Sequence, residues 1–443
     1  MAMSEQRKIY VVSLGCPKNL VDTEHMLGIL TQEGYGIAEE VKEADLALVN
    51  TCSFIAEAVK EAVDTILTLA DLRKTGRLKR LIVAGCLVQR YGYKLKKEIP
   101  EVDIWLGTGL VGRIGKLIRV PDKIFSIERP IYLADHSVPR LRCTPFFTAY
   151  LRIAEGCSHK CSFCIIPKLR GPYRSRTMDS LLREAEKMAS EGVKEVNLVA
   201  QDITAYGSDL GMKWGLETLL ERLSQIKGIQ WIRLLYGYPG GITERLLDLM
   251  ETVDLICPYL DIPLQHVNKE ILSAMGRASE ESPRQLVEQI RKRDRDIAIR
   301  TTLMVGFPGE THQIFRELWE FVRWAQFDHL GVFAYSKEKG TRAAKLHGEV
   351  PPSIAEGRRD EIMALQAEIS LQKNRAKIGQ KLSVLIEGFS EETDLLLKGR
   401  TATMAPEVDG QVLINRGVGE EGKIMAVRIT EAYHYDLVGE IIE

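Results

Sequence analysis

Three cysteines stand within eight residues, Cys157-Ser-His-Lys-Cys161-Ser-Phe-Cys164. They cannot all be disulfide-bonded to one another. Soft thiolates this close select an iron–sulfur cluster or zinc. A structural zinc would want a fourth protein ligand, and His159, lying between the cysteines, is poorly spaced to close such a site. Three thiolates suit three irons of a cubane cluster and leave one iron open for a substrate or cofactor. A zinc knuckle is the alternative. The other five cysteines, Cys16, Cys52, Cys86, Cys143 and Cys257, are scattered. The N-terminal MAMSEQRKIYVV lacks the apolar stretch and cleavage site of a secretory leader, which predicts a cytoplasmic address. In that compartment metal or catalytic roles are better defaults for cysteine than disulfides.

The elements that must position these thiols can be read from apolar runs. Residues 8–15, 45–50, 79–85 and 103–107 read as strands, with helical stretches over 18–33, 54–70 and 87–98 between them. Strands alternating with helices indicate an open parallel α/β sheet. Cys16, Cys52 and Cys86 each follow the end of one of these strands. Ligands of such sheets sit at the carboxyl ends of strands, so three thiolates far apart in sequence could meet at one edge. The alternative is that each packs as a small buried hydrophobe. Residues 112–145 hold four prolines and little periodicity, and read as a linker with a hairpin. Six further strand candidates, at 148–156, 195–202, 231–239, 258–266, 298–310 and 329–336, alternate with helices such as 178–192 and 312–325. That pattern predicts a complete or partial βα barrel with its site at the C-terminal strand ends. A long helix over 353–376 leads to short alternating segments from 380 onward, the pattern of a small β-barrel. The expected division is 1–120, a linker over 121–147, 148–376 and 377–443.

The chain has 443 residues and a net charge of −1, which argues against a globally basic nucleic-acid binder. No apolar run approaches the ~18 residues of a membrane span. The small total hides an asymmetry. Residues 380–443 carry six basic and twelve acidic side chains, a difference of −6. A module gripping RNA needs cations against phosphates, whereas an acidic face suits a basic protein; an ordinary solvated surface is the plain alternative. Lys160, Lys168, Arg170, Arg174 and Arg176 occur with no acidic residue between Gly156 and Met178. Some of them are expected to face a cofactor carboxylate or an acidic target, or else a solvated loop beside an anionic cluster.

The CxxxCxxC spacing resembles the radical S-adenosylmethionine superfamily. That resemblance implies a 4Fe-4S cluster on Cys157, Cys161 and Cys164, with S-adenosylmethionine on the open iron as the source of a 5′-deoxyadenosyl radical. Phe163 is similar to the aromatic that lies near the adenine, and GFPGE, with Gly306 and Gly309, to the segment approaching the adenosine. Gln201 and Asp202 stand where the superfamily has Gly-Gly-Glu, which has no literal match here. SLGCPKNLVDTEHM, NTCSFIAEAVKEA, AGCLVQRY and AEGCSHKCSFCIIPKLRGPYRSR narrow the resemblance to the methylthiotransferase family, over essentially the whole chain. The family implies a second 4Fe-4S cluster on Cys16, Cys52 and Cys86, an open parallel α/β domain, a central partial barrel and a C-terminal antiparallel TRAM-like barrel. Cys143 and Cys257 lie outside both triads and read as structural thiols. GCPKNLVDTE, CSFIAEA and GRTATMAPEVDGQV are similar to the branch that modifies an aspartate β-carbon in a small-subunit ribosomal protein. The implied partners are that basic protein, free or in the assembled subunit, a reductant such as flavodoxin or ferredoxin, and a sulfur donor. A tRNA adenosine substrate, or a non-catalytic cluster-bearing binding or electron-transfer protein, are the alternatives.

Overall fold

A computed structural model describes residues 6–442. The first unit is a six-stranded parallel sheet. Its strands run Gly36–Ile37, Lys8–Ser13, Leu46–Thr51, Arg80–Gly85, Ile104–Leu106 and Ile124–Ser126 in spatial order. Leu46–Thr51 is buried along its whole length because helices cover both sheet faces. Helices Pro17–Gln32, Ala56–Lys74 and Cys86–Glu98 make the crossovers. The edge strands Gly36–Ile37 and Ile124–Ser126 were not anticipated. The second lies in the stretch read as a linker and adds in parallel, not as a hairpin. It is three half-buried residues long, too short to show an alternating pattern.

The second unit has six parallel strands in sequential order: Thr148–Arg152, Glu195–Val199, Trp231–Leu234, Ile256–Asp261, Ala298–Val305 and His329–Ala334. Helices pack on one face of this sheet around the largest apolar core. The sheet does not close on itself, so it is a partial barrel with a concave inner face. That face is filled from outside the unit. Val21 of helix Pro17–Gln32 and Leu385 and Ala405 of the C-terminal unit pack against Tyr150, Leu235 and Tyr259.

Helix Pro352–Arg375 leads into a closed five-stranded barrel. Four of its pairings are antiparallel, and the pair Val412–Arg416 with Leu437–Ile441 runs parallel. This barrel docks through buried charge. Arg400 meets Glu195 at 2.7 Å, and Asp409 accepts from Tyr259 Oη at 2.7 Å.

Candidate functional site

The first three scattered cysteines end adjacent parallel strands. Cys16 caps helix Pro17–Gln32, Cys52 follows Leu46–Thr51, and Cys86 opens helix Cys86–Glu98. The strands are in register, Ser13 with Asn50 and Thr51 with Gly85. Close approach demands glycine beside them. A Cβ on Gly15 would stand 2.5 Å from the Cys52 Cβ, and one on Gly85 2.6 Å from the Thr51 carbonyl oxygen. The sheet thus brings Cys16, Cys52 and Cys86 to one edge.

The other triad lies on the loop after Ala154–Glu155. Backbone bonds pin that loop at several points. Cys157 N–H donates to the Gly171 carbonyl at 3.1 Å, and Ser162 N–H to the Met275 carbonyl at 2.7 Å. Ala343 N–H donates to the Ser162 carbonyl at 2.8 Å. Among the described residues no disulfide forms, and no three side chains converge on a single-ion site. A four-iron cluster presents a separate iron to each thiolate, so its ligands stand apart. Burial pushes Cys86 and Cys157 up to about 11, and Cys164 up to about 12. Thiols held that high stay protonated at neutral pH unless a cationic centre displaces the proton, as metal binding does. All six donors are soft, half-buried or buried, and free of disulfides, which fits iron–sulfur ligation.

The two triads share a wall. Cys86 packs with Ile165 and Leu169, the residues that follow Cys164. Beside them lies a four-charge cluster. Asp22, from the N-terminal helix, contacts Arg152 and Arg170 of the central unit. Glu155 contacts Arg152 at 3.0 Å and Arg170 at 3.4 Å, and Arg170 Nη2 donates to Asn19 Oδ1 at 3.0 Å. Burial pushes the Asp22 carboxyl up, but Arg152 and Arg170 overcome it and hold it below the ordinary range. Lys18, one turn earlier, places its ammonium over the Tyr236 ring at 3.2 Å. Burial lowers its pKa, against the pull of Cys16 and Asp261.

The basic run after Gly156 therefore divides. Arg170 pairs with Asp22 and Glu155, and Arg176 with Glu184 at 2.6 Å. Arg174 bonds the Pro172 carbonyl, while Lys160 and Lys168 are exposed. Of the remaining candidates, Phe163 packs on Ile271, Met275 and Phe307. Gln201 Nε2 donates to Glu155 Oε1 at 2.7 Å, leaving its own carbonyl oxygen buried without a partner. Asp202 is engaged by His159 Nε2 at 2.6 Å and by the Thr204 hydroxyl at 2.6 Å. His159 in turn stacks on Tyr238 with centroids 3.8 Å apart. Gly306, at φ +74°, is packed against Ala355 of helix Pro352–Arg375, while Gly309, at φ +91°, faces open space. Cys257 is buried on the concave face and Cys143 is exposed.

Sequence reasoning missed Arg277, whose Nη1 lies 3.7 Å from Cys161 Sγ and whose guanidinium stacks over Tyr238 at 4.5 Å. It also missed Lys18, Asp22 and Glu155. One signal was present: PKNLVDTEH opens a helix yet carries charge on several faces, and Lys18, Asn19, Asp22, Thr23, Glu24 and His25 are all buried.

Known proteins match this layout in the same order. Residues 8–107 match the uncharacterized protein family UPF0004, 151–322 the radical SAM superfamily, and 378–442 the TRAM domain. The ribosomal protein uS12 methylthiotransferase RimO of Pelobacter propionicus is 50% identical over 448 residues, covering 100% of both chains. Its namesake in Geobacter sulfurreducens is 50% identical and covers 99% of each chain. This chain belongs to the RimO family. Its radical SAM domain implies S-adenosylmethionine and a 4Fe-4S cluster. The fold is also similar to the radical SAM methyltransferase TsrM of Kitasatospora setae, at TM-score 0.53 and 16% identity, over 74% of this chain and 75% of that one. No helix among the described residues is long and apolar enough to cross a membrane.

Proposed function

We propose that this protein is a radical S-adenosylmethionine methylthiotransferase that adds a methylthio group to an aspartate β-carbon of ribosomal protein uS12. The observation that carries this reading is the shared wall: two thiol triads from separate units flank one contact, Cys86 against Ile165 and Leu169. Cys157, Cys161 and Cys164 hold one 4Fe-4S cluster, and Cys16, Cys52 and Cys86 a second. When bound, the first cluster with S-adenosylmethionine supplies a radical able to take an unactivated hydrogen, and the second presents the sulfur. The chain's own residues fix the two sites relative to each other. Asp22 ties the N-terminal helix to Arg152 and Arg170, and Asn19 braces Arg170. Phe163, Gln201, Asp202, Gly306 and Gly309 line the cofactor side. Asp202 acts there by orienting His159 and Thr204.

The C-terminal barrel supports a basic protein substrate over RNA. At one end of it, strand Lys381–Phe389, with the loop that follows it, approaches the loop 417–423: a Cβ on Gly388 would lie 3.7 Å from the Glu421 carboxyl carbon. Glu392, Asp394 and Glu421 are exposed there, and among the described residues none forms an ion pair. Such a surface repels phosphate and attracts a cationic protein. The substrate places the reaction in the cytoplasm, with a low-potential reductant and a sulfur donor as further partners.

The test offers anaerobically reconstituted protein purified uS12, small subunits and tRNA in parallel. Methylthio mass gain on uS12 is expected; gain on tRNA alone refutes the substrate. Cys16→Ala should lose about half the bound iron, and unchanged iron content refutes the second triad.

A further inference from the structure

The loop holding Cys157, Cys161 and Cys164 reaches the surface at Lys160. The segment 337–346, which follows strand His329–Ala334, lies directly against it. Ala343 N–H donates to the Ser162 carbonyl at 2.8 Å, Lys168 Nζ to the Gly340 carbonyl at 2.7 Å, and Arg342 to the Lys160 carbonyl. This contact gathers five exposed cations: Lys160, Lys168, Lys339, Arg342 and Lys345. Among the described residues none of the five forms an ion pair, and the two that bond do so to carbonyls. The carboxylates nearest in sequence are already matched. Glu338 pairs with Arg90 at 2.6 Å, and Glu349 pairs with Lys337. The rim is left with uncompensated positive charge beside the cysteine loop.

Lys168 and Arg342 brace the contact through carbonyls, but packing does not demand Lys160, Lys339 or Lys345, because exposed unpaired cations contribute almost nothing to folding. Electron delivery does call for something at this place. Electron transfer slows steeply with distance, so a donor must dock where the cluster loop meets solvent. On another side of the loop, Cys86 of the N-terminal unit packs over Ile165 and Leu169. A field of one sign concentrates an oppositely charged partner and speeds its encounter. Redox encounters are brief and small, and need charge more than buried area.

We propose that this basic rim is the docking surface for an acidic one-electron carrier protein that reduces the cluster. The inference rests on Cys157, Cys161 and Cys164 being cluster ligands. In the step, one electron leaves the carrier and enters the cluster, with no bond or proton exchanged.

The test uses the full-length holoenzyme and the double variant Lys339→Glu/Lys345→Glu, which spares the loop itself. Anaerobic stopped-flow mixing with flavodoxin hydroquinone follows cluster bleaching. Photoreduced deazariboflavin, small and uncharged, serves as the second donor. The flavodoxin rate constant should fall at least about tenfold at low salt, the lower end of the range for electrostatic steering. The difference should shrink toward about 1 M salt, where the Debye length is about 3 Å. The deazariboflavin rate should hold, and Lys339→Arg/Lys345→Arg should keep both rates. Equal flavodoxin rates in parent and charge-reversed variant overturn the proposal. So does a variant that loses only its binding to small-subunit RNA, which assigns the rim to phosphate. A parent with no reducible iron overturns the cluster assignment and this proposal with it. A normal deazariboflavin rate keeps those two failures apart.

Discussion

Asp22→Asn is the sharpest perturbation of the contact between the two triads. Asp22, Glu155, Arg152 and Arg170 are 3%, 4%, 2% and 4% exposed, and their charges sum to zero. The substitution keeps shape and volume but leaves one buried anion, Glu155, for two guanidiniums. The new amide also turns a donor toward a donor. Breaking a buried pair by removing one partner costs about 3–5 kcal/mol, because the remaining charge is desolvated without compensation. At about 2–4 °C per kcal/mol for a domain of this size, the melting temperature should fall by about 6–20 °C. Anaerobic scanning calorimetry measures it. A double variant, Asp22→Leu with Arg170→Met, restores neutrality and leaves the Arg152–Glu155 pair, so it should recover at least half the loss. A shift below about 2 °C for Asp22→Asn, well under the range above, refutes the reasoning. So does a double variant no better than the single one.

Other outcomes follow from the same geometry. Glu195 is driven up by burial but held at about 2 by Arg400 and Arg233, against an ordinary 4.5. Its contribution is fully present above about pH 4.5 and lost as pH falls through about 2, so Glu195→Gln should remove part of the acid sensitivity seen by thermal melting. Gly306→Ala should cost stability twice over, since it meets Ala355 and takes a strained φ of +74°. Gly309→Ala has open space and only the backbone strain, about 1–3 kcal/mol, so a marked rise in the S-adenosylmethionine KM there would place the cofactor beside Gly309, and an unchanged KM would remove it. If Cys161 ligates the cluster as proposed, Arg277→Gln should make its reduction potential more negative, because a cation beside a ligand sulfur favours the added electron; an unmoved potential in a redox titration contradicts this.

The three clustered cysteines were legible because the loop that carries them is contiguous in sequence. The N-terminal triad was legible because three strand–helix turns repeat the same placement, and parallel register then brings their ends together. The division of the basic run was not legible. Lys168 and Arg170 are two residues apart, yet one is solvated and the other is locked to Asp22, which lies 148 residues away in sequence. No local pattern encodes that pairing. GFPGE was likewise ambiguous, since Gly306 answers to Ala355 on a helix nearly fifty residues on.

Helix Pro17–Gln32 shows why the misreading concentrates at the site. Apolar periodicity assigns a helix to a face by what is hydrophobic, and in this helix the buried residues include Lys18, Asn19, Asp22, Thr23, Glu24 and His25. Each has a partner outside the helix or a constraint on one. Glu24 and Glu184 flank Arg140 at opposite ends, and Asn50 Nδ2 donates to the Asn19 carbonyl and the Thr23 hydroxyl at 2.9 Å each. Burial, with Arg152 and Arg140 nearby, lowers His25 to about 3, so it stays neutral at physiological pH. An apolar helix here would hold the two units together equally well, but it would tolerate sliding. Directional ion pairs fix the register as well as the contact. The ion pairs of Asp22 with Arg152 and Arg170 therefore help fix how the two thiol triads stand relative to each other.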